Sequence, residues 1–281
     1  MSHQRLPAFI VIGAAKAATT WIAHQLRARR DVYMPGPEPH FFSREFHRGE
    51  RWYRRLFAEA RDGQHVGEKS ADYLAHDRAP ARMADRLPHV RLVAQLRNPV
   101  ERAYSDYCML FRRGQVCGDI AKQLNPATTD APRFLDDGLY ARHLRRYRDH
   151  FPAEQLTIIL HEDIKARPAD VLDQVCTFIG LPPAASPAPL DARVNDGKAP
   201  LVPLAFRKLP QPLKDLAAPL RGIPGFEAAR RLIARPVSYP PLTQDIRRRL
   251  EDFYHEDMVQ LAQMVHRDLS GWTTHEGALQ R

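Results

Sequence analysis

Apolar residues in this chain fall into short unbroken runs separated by stretches with helical spacing. Ala8-Phe9-Ile10-Val11-Ile12 is continuous and stops at Gly13, which suits a strand buried on both faces of a parallel sheet. After a turn from Gly13 to Thr20, Trp21-Ile22-Ala23-His24-Gln25-Leu26 resumes with helical periodicity. The opening therefore reads strand, loop, helix. Val90 to Leu96 forms a second buried strand, followed by Arg97-Asn98-Pro99 and a helix from about Val100 to Arg112. Pro99 fits the first helical turn, where a missing N–H costs nothing. Gln155 to Leu160 is a third strand, and the helix after Pro168 stops at Gly180-Leu181-Pro182. Strands that alternate with helices in this way predict an α/β fold with a mostly parallel sheet.

The pattern changes from Pro182 to Pro241, where prolines are dense and only short amphipathic pieces lie between them. Such a segment is too broken for a separate domain and reads as a surface excursion or a mobile lid. A last long helix is predicted from about Thr243 to Arg267, with Ile246, Leu250, Phe253, Met258, Leu261 and Val265 on its inner side. The whole of 1–281 is expected to form one domain.

Composition is that of an ordinary globular chain, with 44% hydrophobic and 27% charged residues. The formal net charge of +9 points to anionic partners without choosing among nucleic acid, acidic glycans, anionic lipids and nucleotides. A solvated arginine-rich surface would account for it equally well. Basic residues interleaved with aromatics on one face are not apparent, so a nucleic-acid-binding role is not expected. The three cysteines, Cys108, Cys117 and Cys176, include no CxxC pair, which argues against a disulfide framework or a thiolate zinc site. The apolar run near the N-terminus is too short for a signal sequence or a membrane span, and the chain reads as cytoplasmic. The 13 histidines show no HExxH spacing and are assigned to surface or packing positions.

Candidate chemistry begins at the first loop, Gly13-Ala14-Ala15-Lys16-Ala17-Ala18-Thr19-Thr20. Backbone N–H groups at a helix N-terminus, with the helix dipole behind them, form an anion site. The small residues let the backbone approach a phosphate, and Thr19 and Thr20 add hydroxyl donors. A triphosphate-binding loop would read GxxxxGK[ST]. In that frame Ala18 replaces the second glycine and Thr19 the lysine, which stands instead at Lys16. The second strand ends at Arg97, where a triphosphatase would place a magnesium-binding aspartate. An arginine there cannot hold a metal but can hold a phosphate. Ser105, eight residues on, joins it as a candidate for a second phosphate away from the 5′ end of the same nucleotide.

The segments IGAAKAATTW, EPHFF, GEKSADY and RLVAQLRNPVERAYSDY, with LTIILHEDIKARPADVLDQVCTFIGLP and FYHEDMVQLAQMVHRDLSGW, resemble the sulfotransferases that use PAPS (3′-phosphoadenosine 5′-phosphosulfate). The closest likeness is to bacterial relatives of the heparan sulfate sulfotransferases. The resemblance implies a P-loop-like parallel sheet flanked by helices, PAPS as donor, PAP as product, and no metal. It matches Lys16, Ala17, Ala18, Thr19, Thr20 and Trp21 to the 5′-phosphosulfate loop, and Arg97 and Ser105 to the 3′-phosphate pair. It also matches Lys198 to a late nucleotide-contacting loop. Glu38 corresponds to a catalytic carboxylate and Lys69 to a lysine near the transferring group. The family usually has glycine where this chain has Ala18, and a methyl there either tightens the loop or requires a negative φ.

Sulfuryl transfer is an in-line displacement governed by positioning and charge stabilisation. Lys16 and the loop N–H groups would stabilise charge on the leaving phosphate, and Glu38 would take the acceptor proton. His40 is the alternative base. Glu38 could instead be a solvated residue of the Pro35-Gly36-Pro37-Glu38-Pro39 turn, and Arg97 could be a structural ion-pair partner. Ser70, Asp72 and Tyr73 could line the acceptor cleft, while Phe41 and Phe42 read as core. A small-molecule kinase and a non-catalytic nucleotide binder are the rival functions. The acceptor class stays open among glycan, lipid and small natural product.

Overall fold

The computed structural model describes residues 6–116, 118–183 and 237–273. Nearly all of the proline-dense segment, and Lys198 with it, lies outside the described residues. The elements run β1 (Phe9–Gly13), α1 (Thr19–Arg27), β2 (Val32–Tyr33), α2 (Gly49–Arg55), β3 (His65–Lys69), α3 (Ala79–Arg86), β4 (Arg91–Leu96) and α4 (Pro99–Arg112). They continue with the short α5 (Ile120–Gln123) and α6 (Arg133–Asp136), then α7 (Tyr140–Arg148), β5 (Leu156–Leu160), α8 (His161–Ala166) and α9 (Pro168–Ile179). The final helix, α10, spans Gln244–Val265. Among the described residues no helix is long and apolar enough to cross a membrane.

The strands form one parallel sheet in the order β2-β3-β1-β4-β5. Every residue of β1 is buried, and its side chains divide between the two faces with period two. Ile10 and Ile12 join Leu92, Ala94 and Leu96 of β4 in a core covered by α3, α4, α7 and α10. Phe9 and Val11 join Val93 and Ile159 in a second core under α1 and α9. Burial on both faces explains why β1 and most of β4 read as apolar runs, whereas β5, at the sheet edge, is half-buried from Leu156 to Ile158 and buried at Ile159 and Leu160.

β2 and β3 carry no such run and escape prediction. His65-Val66-Gly67-Glu68-Lys69 contains a single aliphatic side chain, yet Phe9 pairs with Gly67 and Val11 with Lys69. Gly67 is required because a Cβ there would run into the Phe9 ring. Tertiary pairing makes this strand, not intrinsic propensity.

Pro99 is the first residue of α4, as expected, and Asn98 caps the helix by accepting from the N–H groups of Val100 (2.9 Å) and Glu101 (3.3 Å). In α10, Thr243 caps the start and His266 ends the helix in a left-handed conformation. Its inner face is more polar than predicted: Tyr254, Glu251 and Asp257 are buried beside Leu250 and Met258, whereas Phe253 and Val265 are half-buried. Asp257 accepts from the N–H groups of Ala141 (2.9 Å) and Arg142 (3.0 Å), so the buried carboxylate serves the otherwise uncapped start of α7.

At the end of β1, Gly13 has φ 147°, and a Cβ on it would stand 2.7 Å from the Ala71 carbonyl oxygen and 2.8 Å from Leu74 Cβ. Neither neighbour can yield, because Leu74 N–H is bonded to Ile12 O at 2.8 Å. Gly13→Ala should therefore lower unfolding free energy by roughly 2–4 kcal/mol, the scale of overpacking added to a strained φ. Chemical denaturation checks this, and an unchanged midpoint would show that the close approach is not obligatory.

Candidate active site

In this strand order, the chain leaves β1 toward β2 and leaves β4 toward β5, in opposite directions along the sheet. Crevices at such switch points, beyond the carboxyl ends of the strands, are where open α/β sheets bind ligands. The Gly13–Ala18 loop and Arg97 both lie there. Gln95 holds the loop in place. Its carbonyl accepts from Ala14 N–H at 2.7 Å, and its side-chain amide donates to the Ala17 carbonyl. This fully buried glutamine escaped the sequence reading, although a polar residue inside an apolar parallel strand was an available signal.

Lys16 and Ala18 sit at φ 70° and 66°. Ala18 therefore does not take the negative φ that its methyl favours. The chain must turn directly into α1, with Trp21 N–H bonding to Ala18 O at 2.9 Å, and this turn outweighs a left-handed cost of about 1–2 kcal/mol. Thr19 and Thr20 form the first turn of α1, and no side chain caps that end, leaving its N–H groups for an anion. The half-buried Lys16 reaches Met109 Sδ at 3.6 Å. Burial lowers its pKa; Asp106 opposes this, while Arg113 and Arg97 add to it.

Arg97 extends along the first turn of α4, 3.7 Å from Glu101, and its other guanidinium nitrogen is 3.5 Å from Lys16 O. Both contacts are long, and Glu101 makes its closer pair with Arg247 of α10 at 2.6 Å. Tyr140 fixes the backbone by donating to Arg97 O at 2.9 Å. Ser105 follows Glu101 at i+4, on the same face of α4. Arg97 thus pairs with Glu101, and Ser105 stands one turn beyond Glu101 on α4; Glu101 is a residue that the sequence pattern did not single out.

Glu38 is not a solvated turn residue. Its turn is tied to α1 by Arg27, which donates to Pro35 O (2.6 Å) and Gly36 O (3.1 Å). Its carboxylate pairs with the buried Lys69 ammonium and accepts from Ala71 N–H at 2.9 Å. His40 lies alongside, with Nε2 3.9 Å from Glu38 Oε2 and Nδ1 2.6 Å from Asp72 Oδ1. Asp72 also accepts from Ser43 (2.9 Å) and pairs with Arg44 (3.2 Å). Phe41 and Phe42 are core residues, as expected.

Behind this group Glu68 is completely buried and accepts from Tyr53 (2.5 Å), Ser70 (3.0 Å) and Tyr73 (3.2 Å). Burial pushes its pKa up to about 7, against those hydrogen bonds and the charge of His40. The Ser70 hydroxyl also accepts from His40 N–H at 2.9 Å, which links the buried carboxyl to the site. Among the described residues Glu38, His40 and Asp72 come close enough to share a metal ion. Lys69 and Arg44 already compensate the two carboxylates, so this donor set is poorly suited to a cation.

The loop and the carboxylate side meet through Ala71. Its N–H binds Glu38, and its carbonyl abuts Gly13. Ser70 N–H bonds to Val11 O at 3.1 Å, which locks the turn after β3 to β1. An anion cradle with a lysine thus stands beside a carboxylate–histidine–lysine group, an arrangement suited to group transfer from a bound nucleotide to a second substrate.

Residues 56–185, which include β3 through α9, match the model of the sulfotransferase family. The chain is 34% identical over 186 residues to mouse (Mus musculus) heparan sulfate glucosamine 3-O-sulfotransferase 3A1, covering 63% of this chain and 47% of that protein. It is 29% identical over 294 residues to the mouse bifunctional heparan sulfate N-deacetylase/N-sulfotransferase 3, covering 97% of this chain and 32% of the relative. The chain thus spans about half the length, or less, of these curated relatives. A crystal structure of a sulfotransferase from Alicyclobacillus acidocaldarius superposes with a TM-score of 0.71 at 26% identity, over 95% of this chain and 99% of that one. Residues 56–185 are thus similar to the sulfotransferase family, and the fold resembles that of a solved sulfotransferase over 95% of the chain.

Glu68 also gives the fold a pH dependence. Its folded pKa of about 7 lies above the ordinary 4.5, so between those values the folded chain holds a proton that the unfolded chain has released. The associated stability is complete below the unfolded pKa and is lost as pH rises through about 7. Glu68→Gln cannot ionise and should flatten that slope, so its Tm should change less than that of the wild type between about pH 5 and pH 8. Parallel slopes in calorimetry would show that Glu68 stays ionised throughout.

Proposed function

We propose that the protein is a PAPS-dependent sulfotransferase that transfers a sulfuryl group to a hydroxyl or amine of an acceptor and releases PAP. One observation carries this reading: Ala71, in the turn after β3, binds Glu38 through its N–H and abuts through its carbonyl Gly13, where the loop that carries Lys16 begins. The donor supplies an activated sulfuryl group; the acceptor oxygen or nitrogen bonds to sulfur as the bond from sulfur to the 5′-phosphate oxygen breaks, and that electron pair leaves with PAP. Lys16 and the N–H groups at the start of α1 stabilise the charge that builds on the leaving phosphate. Arg97 and Ser105 bind the 3′-phosphate, and Thr19, Thr20 and the backbone of Ala17, Ala18 and Trp21 complete the cradle. Glu38 takes the acceptor proton, while Lys69 orients its carboxylate. A kinase reading is not favoured, because β4 leads into Arg97, where a magnesium-binding aspartate would be needed.

Relatives named for heparan sulfate make a sugar hydroxyl or amine the first acceptor to assay, ahead of lipids and small natural products. A cytoplasmic location belongs to the same reading. It is supported by the odd cysteine count and the free thiols of Cys108 and Cys176.

Nucleotide selectivity tests the donor side. PAP should raise Tm by mass action, and 5′-AMP should do so far less, an advantage that Arg97→Ala should erase. Equal stabilisation by PAP and AMP in the wild type overturns the assignment of the 3′-phosphate. Mass spectrometry with PAPS and an acceptor panel then reads transfer itself.

The proton acceptor is tested by substitution. Glu38→Gln should lower kcat by about 10²–10⁴-fold, the range for loss of a general base, while leaving the PAP-induced Tm shift intact. Lys16→Ala should lower both. A near-normal Glu38→Gln enzyme would remove Glu38 from the reaction.

A further inference from the structure

We propose that Asp72 is the positioning residue of the acceptor side, holding His40 as the Nδ1–H tautomer so that Nε2 stands open as a second proton acceptor beside Glu38. The inference rests on the reading of this site as the place where the acceptor is deprotonated.

The geometry leaves His40 little freedom. Nδ1 is 2.6 Å from Asp72 Oδ1, and the other Asp72 oxygen is engaged by Ser43 at 2.9 Å and Arg44 at 3.2 Å. Burial raises the Asp72 pKa, the hydrogen bonds from His40 and Ser43 and the charge of Arg44 lower it, and the group lies below its ordinary value. An ionised carboxylate only accepts hydrogen bonds, so the proton of this bond belongs to Nδ1. The backbone is fixed as firmly. His40 has φ 50°, its N–H donates to Ser70 Oγ at 2.9 Å, and its carbonyl accepts from Glu45 N–H at 3.0 Å and Ser43 N–H at 3.3 Å. A non-glycine residue kept in the left-handed region costs about 1–3 kcal/mol, a strain that these bonds offset.

Nε2 is 3.9 Å from Glu38 Oε2, too far for a direct hydrogen bond. An acceptor hydroxyl or a water between the two would meet both. The carboxylate of Glu38 is already shared by Lys69 and Ala71 N–H, and a neutral imidazole beside it supplies a site to which the proton can move on. Asp72 then faces the imidazolium that forms. A carboxylate behind a histidine acts in this way in hydrolase triads.

Two measurements test this. In protein with ¹⁵N-labelled histidine at about pH 8, where a free imidazole is neutral, His40 should show a protonated Nδ1 and a bare Nε2, with the signal assigned by its loss in His40→Asn. The Nε2–H tautomer, or a persistent imidazolium, overturns the proposal whether or not an acceptor is known. Asp72→Asn should lower kcat about 10–10³-fold, within the scale of general-base effects, with an unchanged PAP-induced Tm shift and partial recovery in Asp72→Glu. Asp72→Asn combined with His40→Asn should be no slower than His40→Asn alone, since the two residues act as a unit. An active Asp72→Asn enzyme sinks the role of Asp72 while leaving the sulfotransferase reading intact. Wild-type protein that binds PAP yet transfers to nothing sinks that reading without touching the tautomer.

Discussion

Parallel pairing of β1 with β3 on one side and β4 on the other is the constraint on which the rest of the structure depends. A strand with hydrogen-bonded neighbours on both sides cannot shift its end, and the turns that follow those neighbours cannot move away from it. The Gly13 loop is therefore gripped from β4 by Gln95 and pressed from the β3 side by Ala71 and Leu74. The cradle owes its shape to these two walls more than to preferences of its own residues. Lys16 and Ala18 adopt left-handed φ values that neither residue type favours.

Electrostatic compensation is the second organising feature. Taking carboxylates out of water is costly unless each finds a cation or several donors. Glu38 has Lys69 and a backbone N–H, Asp72 has His40, Ser43 and Arg44, and Glu68 has three hydroxyls. Only Glu68 lacks a cation in contact, and its carboxyl is the one whose pKa rises to about 7. Beside the loop the balance is reversed. Arg97 and Arg247 both stand near Glu101, an excess of positive charge suited to an anion.

Much of this architecture was legible in the chain. β1 and β4 are buried on both faces and therefore read as largely apolar runs, and β5 is apolar enough at the edge to be read with them. The stops at Gly13 and Gly180 and the start at Pro99 follow from backbone conformations that few residues tolerate. The loop was recognisable because small residues between a buried strand and a helix serve few other ends. Glu38, Lys16, Lys69, Arg97 and Ser105 were all named, as was the alternative, His40.

What remained hidden was pairing. β3 contains glycine, glutamate and lysine, and is a strand only because β1 lies beside it. Gln95 and Glu101 carry no motif of their own, and Asp72 was named only as a possible lining residue, since each acts through a partner distant in the chain: Ala17, Arg247 and His40. By itself the sequence determined the parallel α/β layers, the anion loop and the residue types available for chemistry, because periodicity and local backbone rules are written in near neighbours. The tertiary structure decided which carboxylate meets which cation, which histidine nitrogen is left open, and that Ala18 must turn left-handed. Those outcomes depend on contacts between segments that come together only when the sheet forms.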